Sequence, residues 1–153
     1  INYTNSTTGT HVNGLTSTNA TSNTPGNNLY ITENSSPYDW RSPQNNNLWQ
    51  GESGINNPCP EGYRVPTVAE MTTLVSAESI SNSITAVNST LAFPTAGYRN
   101  YTDGIVYDQA NIVYYWTSST NGIHSEMRYF DSSHTGTGIN FRAFGFSIRC
   151  LQD

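Results

Sequence analysis

The sequence predicts a single α+β domain in which two helices precede a compact, mostly antiparallel sheet with long loops. Three observations lead to this fold class. The chain has 153 residues, a length that suits one domain. A capped helical pattern occupies the middle of the chain. From Leu91 onward, short alternating segments separated by turn residues replace that pattern.

Composition argues against several classes of protein. Charged residues make up only 11% of the chain and aromatic residues 12%, with ten tyrosines, so disorder is not expected. The net charge of −5 and the absence of lysine leave no basic patch for nucleic acid. No segment approaches the roughly 20 apolar residues of a membrane span. Because the chain starts at Ile1 without Met or a signal peptide, it is expected to be a processed chain or an excised fragment.

Two regions are expected along the chain. Residues 1–28 are almost wholly Asn, Thr, Ser and Gly, which predicts a polar linker or a segment packed on a neighbouring chain of a fibre. Residues 29–153 are expected to form the ligand-binding domain. Its first part, residues 29–57, is aperiodic but rich in aromatic side chains, which predicts a loop held against the core.

A helix is predicted from Thr67 to about Ser76. Thr67 and Glu70 form a T-x-x-E capping box, in which each side chain accepts a hydrogen bond from the backbone N–H of the other residue. The stripe expected to be buried is Met71, Leu74 and Val75. A second, weaker helix ending near Asn88 is predicted from the spacing of Ile80, Ile84 and Val87.

Strands are predicted where the period changes from that of a helix. They are Leu91–Pro94, Gly97–Tyr101, Ile105–Tyr107, Tyr114–Ser118, Glu126–Phe130 and Ala143–Cys150. Asp103-Gly104 indicates the turn of a hairpin. The Gly/Ser/Thr-rich stretch Asp131–Asn140 predicts a long loop. Trp116 is expected to be a core residue because its strand is interpreted as central.

Cys59 and Cys150 lie far apart and lack the C-x-x-C spacing of a zinc or redox site. They are either two unrelated buried thiols or a disulfide. The polar composition favours a disulfide, which would contribute about 3–5 kcal/mol in the chain-entropy model.

Nothing in the sequence matches a catalytic motif, so no enzyme is expected. The histidines are His11, His124 and His134, and they are interpreted as exposed polar residues on binding loops. Scattered acids that could ligate calcium are Asp39, Asp103 and Asp108, so a structural calcium ion is the one cofactor left open.

Two stretches carry a family resemblance. The first is C-P-E-G-Y-R-V-P-T-V-A-E-M from Cys59 to Met71. The second joins Y-W-T-S-S from Tyr115 to R-A-F-G-F-S-I-R-C, which ends at Cys150. Together they resemble the bacterial major paralogous domain first catalogued in Fibrobacter, a branch of the C-type-lectin-like superfamily, over residues 29–150. The superfamily also includes formylglycine-generating domains.

The resemblance implies a C-type-lectin-like fold in which R-V-P-T-x-A-E opens the first helix. G-F-S-I-R-C would be the last core strand, returning beside the start of the domain and bringing Cys59 next to Cys150. The formylglycine-generating branch needs additional cysteines, so oxidase activity is not expected. The E-P-N, Q-P-D and W-N-D motifs of calcium-dependent sugar binding are absent, which argues against that activity.

The order W-T-S-S, a heterogeneous span and R-A-x-G-F-S-I-R-C is also similar to the variable domains that retroelements diversify in phage tail fibres and bacterial surface proteins. In such domains one face of a strand holds the core while the other varies. From Glu126 to Asp131, alternation predicts Arg128 and Phe130 inward. The residues expected to point outward are Met127, Tyr129 and Asp131.

Between the two scaffold-like motifs, a mixture of apolar, aromatic and charged residues predicts one exposed ligand-binding patch. Its residues are Ile123, His124, Met127, Tyr129, Asp131, His134, Asn140, Phe141 and Phe144. In the alternative interpretation, Phe141 and Phe144 close the core beneath a polar loop.

The leading functional expectation is a receptor- or ligand-binding domain at the tip of a phage tail fibre or a similar viral adhesin. Its partner would be a host-surface protein or glycan, its place the virion surface or the extracellular space, and its arrangement in a fibre a homotrimer. The alternatives are a bacterial surface or secreted lectin-like adhesin, and a structural module of a filament or capsid decoration.

Overall fold

A computed structural model describes residues 14–153, and it confirms the α+β class. The described residues contain two helices, α1 (Val68–Ala77) and α2 (Ser83–Asn88). The strands are β1 (Leu15–Thr16), β2 (Tyr30–Ile31), β3 (Tyr63–Arg64), β4 (Tyr98–Arg99), β5 (Val106–Tyr107), β6 (Val113–Asn121), β7 (His124–Phe130), β8 (Thr135–Asn140) and β9 (Leu151–Gln152).

Helix α1 begins as the sequence predicts. The Thr67 hydroxyl accepts from the backbone N–H of Glu70, and the Glu70 carboxylate accepts from the backbone N–H of Thr67. The Glu70 carboxylate also receives two hydrogen bonds from Arg64, at 2.7 and 2.8 Å. Met71 and Val75 are buried and Leu74 is half-buried, so the predicted apolar stripe is confirmed.

The end of α1 explains why Ile80 does not belong to a second helix. Ser79 has a left-handed φ of 53°, the Ile80 N–H donates to the Val75 carbonyl, and the Ser79 N–H donates to the Ser76 carbonyl. These two bonds form a Schellman motif, in which the residue after the left-handed one packs back on the helix. Ile80 is buried there.

Helix α2 confirms the predicted second helix ending near Asn88, although Ile80 lies outside it. Asn82 caps this helix, and Ile84 and Val87 are 64% and 43% exposed, whereas Ser83 and Ala86 are buried. The Ser83 N–H donates to the Asp131 carbonyl at the turn after β7, which fixes the first turn of α2 against the sheet. Ala86 belongs to the core cluster.

Strands β6, β7 and β8 form an antiparallel sheet in that order. Helix α1 packs on its inner face, where Val113, Tyr115 and Phe130 join the core. The remaining core residues are Met71, Val75, Ile80, Ala86 and Phe93. Trp116 is 4% exposed, which confirms the prediction that it is buried.

The prediction of a loop over residues 131–140 is wrong, because Thr135–Asn140 is strand β8. Only the turn at 131–134 lacks strand structure, and there Asp131 Oδ1 accepts from the backbone N–H groups of Ser133 and His134. Glycine usually disfavours a strand. Here Gly136 and Gly138 lie beneath the Tyr129 and Met127 side chains of β7, which occupy the space that a Cβ would fill.

The remaining segments pair in short stretches. The β4–β5 hairpin around Asp103-Gly104 is confirmed. Strand predictions for 91–94 and 143–150 are wrong: Phe93 enters the core from an irregular segment, and 143–150 makes only isolated bridges at Gly145 and Ser147. Strand β9 follows these residues and pairs with β3.

The Cys59–Cys150 disulfide is present, with the two Cα atoms 5.8 Å apart. It ties the approach to α1 to the end of the chain beside the β3–β9 pair.

Part of the predicted linker, residues 14–28, is bonded to the region that follows it. Strand β1 pairs in parallel with β2, and Ala20 forms a bridge with Arg41, so residues 14–28 pack on the body of the domain. Residues 1–13 of the predicted linker, including His11, lie outside the described residues.

The Thr67→Ala variant is expected to lose about 0.5–2 kcal/mol of unfolding free energy, because an N-cap hydroxyl is removed from a capping box. Urea unfolding measures the loss. Thr73→Ala is the matched control, since Thr73 is exposed on the same helix and bonds only to the Ala69 carbonyl. Equal losses in the two variants would contradict the capping role.

Lowering the pH is expected to reduce the free energy of unfolding, because it weakens the Arg64–Glu70 ion pair at the start of α1. The two hydrogen bonds from Arg64 lower the pKa of Glu70 from 4.5 to about 2. A lowered pKa in the folded state means stability that is present above about pH 4.5 and is lost as the pH falls toward 2. The contribution is reduced by solvent, because the Glu70 side chain is 36% exposed. In Glu70→Gln this part of the pH dependence of unfolding should disappear, while the exposed control Glu61→Gln should retain it.

A candidate ligand-binding face on the outer side of the sheet

The three-stranded sheet separates two kinds of side chain. On β7, Phe130 and Arg128 are buried on the inner side with Val113 and Tyr115, the residues opposite them on β6. Tyr129 pairs with Tyr114 on the outer side. The alternation predicted for 126–131 is therefore confirmed.

Aromatic rings form a continuous layer on the outer side, which we call the aromatic face. Its residues are Tyr98, Tyr101, Tyr114, Tyr129, Phe141, Phe144 and Phe146. Neighbouring ring centroids lie between 4.7 Å (Tyr101 to Phe144) and 6.3 Å (Tyr98 to Phe146) apart. All seven residues are half-buried, so each ring packs on its neighbours and still presents surface to solvent.

Four segments supply the aromatic face. Tyr98 comes from the β4–β5 hairpin and Tyr101 from the loop after β4, while Tyr114 and Tyr129 come from the sheet. The irregular segment 141–146 supplies the three phenylalanines and is held by the backbone bonds of Gly145 to Arg99 and of Ser147 to Tyr114. A Cβ on Gly145 would lie 2.8 Å from the Cβ of Arg99, so this close approach requires glycine.

Glycines in β8 let two outer side chains lie across the sheet. A Cβ on Gly136 would be 2.7 Å from the Tyr129 hydroxyl, and a Cβ on Gly138 would be 2.8 Å from the Met127 methyl. Tyr129 and Met127 thus cover β8, in the manner of an aromatic ring laid over a strand glycine.

One end of the aromatic face is polar. The Tyr129 hydroxyl lies 3.0 Å from His134 Nε2, and Asp131 Oδ2 lies 3.0 Å from His134 Nδ1. Backbone N–H groups of His134 and Ser133 lower the pKa of Asp131. His134 is 59% exposed, so this Asp–His–Tyr chain is open to a ligand.

At the other end, His124 stacks on Phe141 with ring centroids 5.3 Å apart. Tyr38 also contacts Phe141, at 4.5 Å. Ile123 is exposed in the turn between β6 and β7, next to His124.

Of the nine predicted site residues, Tyr129, Phe141 and Phe144 belong to the aromatic face. His124 and His134 contact its rings, Asp131 contacts His134, Asn140 accepts from the Phe141 N–H, and Ile123 is exposed next to His124. The prediction that Met127 is exposed is wrong. Its side chain is only 7% exposed, because it lies over Gly138 opposite Trp116 and packs beneath the aromatic face.

Tyr98, Tyr101, Tyr114 and Phe146 were not among the predicted site residues. The three tyrosines come from other segments of the chain, so no window of sequence groups them with the predicted patch. Phe146 follows Phe144 by two residues, and this alternation is the signal that could have found it.

Comparison with protein-family models, with curated proteins and with solved structures finds no match. The aromatic face is therefore interpreted from its own geometry.

Within residues 14–153, no three His, Cys, Asp or Glu side chains are grouped so that they could hold a metal ion. Two of the three acids considered for calcium are engaged separately, since Asp39 faces Arg142 and Asp103 accepts from the Tyr107 hydroxyl. The third, Asp108, is exposed. Neither helix of the described part is long and apolar enough to cross a bilayer.

Gly136→Ala is expected to displace the Tyr129 ring and break its bond to His134, with a loss of about 1–3 kcal/mol from overpacking. Thermal unfolding measures the loss, and the NMR signals of the His134 ring report the broken bond. Gly138→Ala is the matched control, because its Cβ meets only the flexible end of Met127. If the control costs as much, Tyr129 is not held as described.

Proposed function

We propose that this chain is a non-enzymatic ligand-binding domain that presents its aromatic face to a target on a cell surface. The carrier we propose is the tip of a phage tail fibre or a similar viral adhesin, and the target is a host-surface protein or glycan. The proposal combines the C-type-lectin-like resemblance of the sequence with the geometry of the outer side of the sheet.

The observation that carries the proposal is the half-buried aromatic layer itself. Tyrosine and phenylalanine rings offer large contact areas at low cost in side-chain entropy, and such residues supply most of the binding energy in protein interfaces. An aromatic layer needed only for the core would be covered, whereas all seven rings here are part-exposed.

A rigid support favours recognition over a role as a flexible connector. Tyr114 and Tyr129 lie on paired strands, and the phenylalanine segment is bonded to β4 and β6. Rings held in place before binding lose less freedom when a ligand arrives. In the variable domains that this sequence resembles, a fixed scaffold likewise displays side chains that can change.

The disulfide supports a place outside the reducing interior of a cell. Disulfides persist mainly in secreted, surface and virion proteins. Cys59 and Cys150 are joined, and together with the polar, lysine-free composition this favours display on a virion or cell surface.

The Tyr129→Ala, Phe141→Ala double variant is expected to weaken attachment by at least about 30-fold, because two aromatic anchors are removed from the face. Flow cytometry with the labelled domain on a panel of bacterial strains measures attachment. The thermal midpoint should fall by only about 2–4 °C, since both side chains are half-buried and lie outside the core cluster.

Ile84→Ala serves as the control, because it truncates an exposed apolar residue on α2. A strain that binds the wild type, the control and the double variant equally well would contradict the proposed face.

A further inference from the structure

A cavity of about 540 Å³ lies along helix α1 and shares no lining residue with the aromatic face. One wall is the helix over residues 69–77, and the other is formed by Leu91 and residues 149–152. Ligand pockets in proteins usually have volumes of about 300–1,000 Å³. The size of this cavity therefore suits a small molecule and is far larger than a single ion or water needs.

Most of the surface of this cavity is apolar. Leu74, Leu91 and Leu151 line it and are only half-buried, so part of each side chain faces the open space. The hydroxyl of Thr73 donates to the Ala69 carbonyl of its own helix, so this donor is already satisfied. Covering such a surface with an apolar ligand removes it from water, which is favourable.

Covalent and backbone bonds hold the walls of the cavity in place. Cys150 is joined to Cys59 by the disulfide, and Leu151 pairs with Arg64 in the β3–β9 sheet. The opposite wall is a helix whose first turn is fixed by its capping box. Because the cavity exists before a ligand arrives, little of the binding free energy is lost in ordering the protein.

Two charged residues line the cavity, and only one of them has an ionic partner. The Glu70 carboxylate accepts from the Arg64 guanidinium and from the Thr67 N–H, so its charge is paired. Arg149 has its Cζ atom 5.2 Å from the centroid of the Phe93 ring, and in the described part of the chain no oxygen accepts a hydrogen bond from it. Its guanidinium nitrogens are not enclosed, since the side chain is half-buried and none of its atoms is a fully buried unpaired donor. Arg149 therefore presents reachable N–H donors and an uncompensated positive charge to a ligand in the cavity.

Charge complementarity selects an apolar ligand with one negative charge at its end. The planar guanidinium of Arg149 matches a carboxylate, which can accept two parallel hydrogen bonds from it. A phosphate monoester carries a charge of about −1.5 to −2, more than one arginine offsets, and it would lie near Glu70 in a chain of net charge −5.

The length of the helical wall sets the length of the apolar part. Residues 69–77 cover about 12 Å at the helical rise of 1.5 Å per residue. An extended alkyl chain of about ten carbons has nearly this length, given carbon–carbon bonds of about 1.5 Å at tetrahedral angles. The cavity therefore matches a monocarboxylic acid of medium chain length.

We propose that this cavity binds a free medium-chain fatty acid. The carboxylate accepts hydrogen bonds from Arg149, and the alkyl chain lies between helix α1 and the side chains of Leu91 and Leu151. The site is a second binding function of the domain, independent of the target that the aromatic face recognises.

The test is an NMR titration of the ¹⁵N-labelled domain with decanoate, kept below its critical micelle concentration. Decanoate is expected to bind one to one and to shift the amide signals of residues 69–77 and 149–152. Three probes with the same chain isolate the head group: decanol, decyltrimethylammonium and decyl phosphate. Each is expected to bind at least about 10-fold more weakly than decanoate, because none offers Arg149 a single carboxylate.

Two pairs of variants test the charge and the space separately. Arg149→Gln should weaken decanoate binding at least about 10-fold, whereas Arg41→Gln removes the same charge outside the cavity and should bind as the wild type does. Thr73→Trp fills the cavity and should also lose at least about 10-fold. Thr72→Trp is its matched control, because both threonines are exposed on α1 and bond to the carbonyl four residues earlier, but only Thr73 lines the cavity.

The proposal is overturned if decanoate does not bind one to one, if decanol or decyl phosphate binds as tightly, or if either variant binds no worse than its control. It is also overturned if sedimentation shows a dimer that Thr73→Trp disrupts and decanoate does not, since the cavity would then belong to an interface with a second copy. The Tyr129→Ala, Phe141→Ala double variant should bind decanoate as the wild type does. Loss of cell attachment in that variant with decanoate binding retained separates the two sites, and failure of either function leaves the other standing.

Discussion

The buried guanidinium of Arg142 joins the loop before α1 to the turn between β6 and β7. It donates to Asn46 Oδ1 and to the Asn45 carbonyl in the loop that contains Trp40 and Trp49. It also donates to the carbonyls of Gly122 and His124 in the turn between β6 and β7. Asp39 completes the arrangement at 3.7 Å. One side chain thus fixes the loop over the sheet and sets where His124 meets Phe141.

The Asp39–Arg142 pair fixes the positions of the loops more than it stabilises the fold. Burial raises the pKa of Asp39 and lowers the pKa of Arg142, which means that the lost hydration outweighs the attraction between the two charges. A buried ion pair commonly costs nearly as much to form as it returns, although removing one partner alone is strongly destabilising. Retaining such a pair is understandable where the exact placement of loops matters, as it does at a recognition surface.

The two sides of the sheet divide the work of the domain. The inner side packs on α1 and contains the fully buried residues, such as Phe93 and Phe130. The outer side contains rings that contact one another but remain partly exposed. The strand period separates these sets except at Trp116 and Met127, which pair on the outer side and are buried. The half-buried side chains of the outer side can therefore change with little effect on the core. The glycines of β8 extend the outer side by leaving room for Tyr129 and Met127.

The features that the sequence alone determined are those that depend on hydrogen bonds and periodicity within one short segment. The capping box of α1 involves residues three apart, and the alternation of Arg128 and Phe130 follows from the strand period, so both were predictable without a partner segment. Tertiary contacts decided the rest. Ile80 belongs to the end of α1 because of a bond to Val75, and β8 is a strand because Tyr129 and Met127 fill the space that its glycines leave. The aromatic face joins four segments, and Arg142 reaches partners in distant loops. Short-range hydrogen bonds and periodicity can be recognised within one window of sequence, whereas complementary packing between distant segments exists only once the chain has folded.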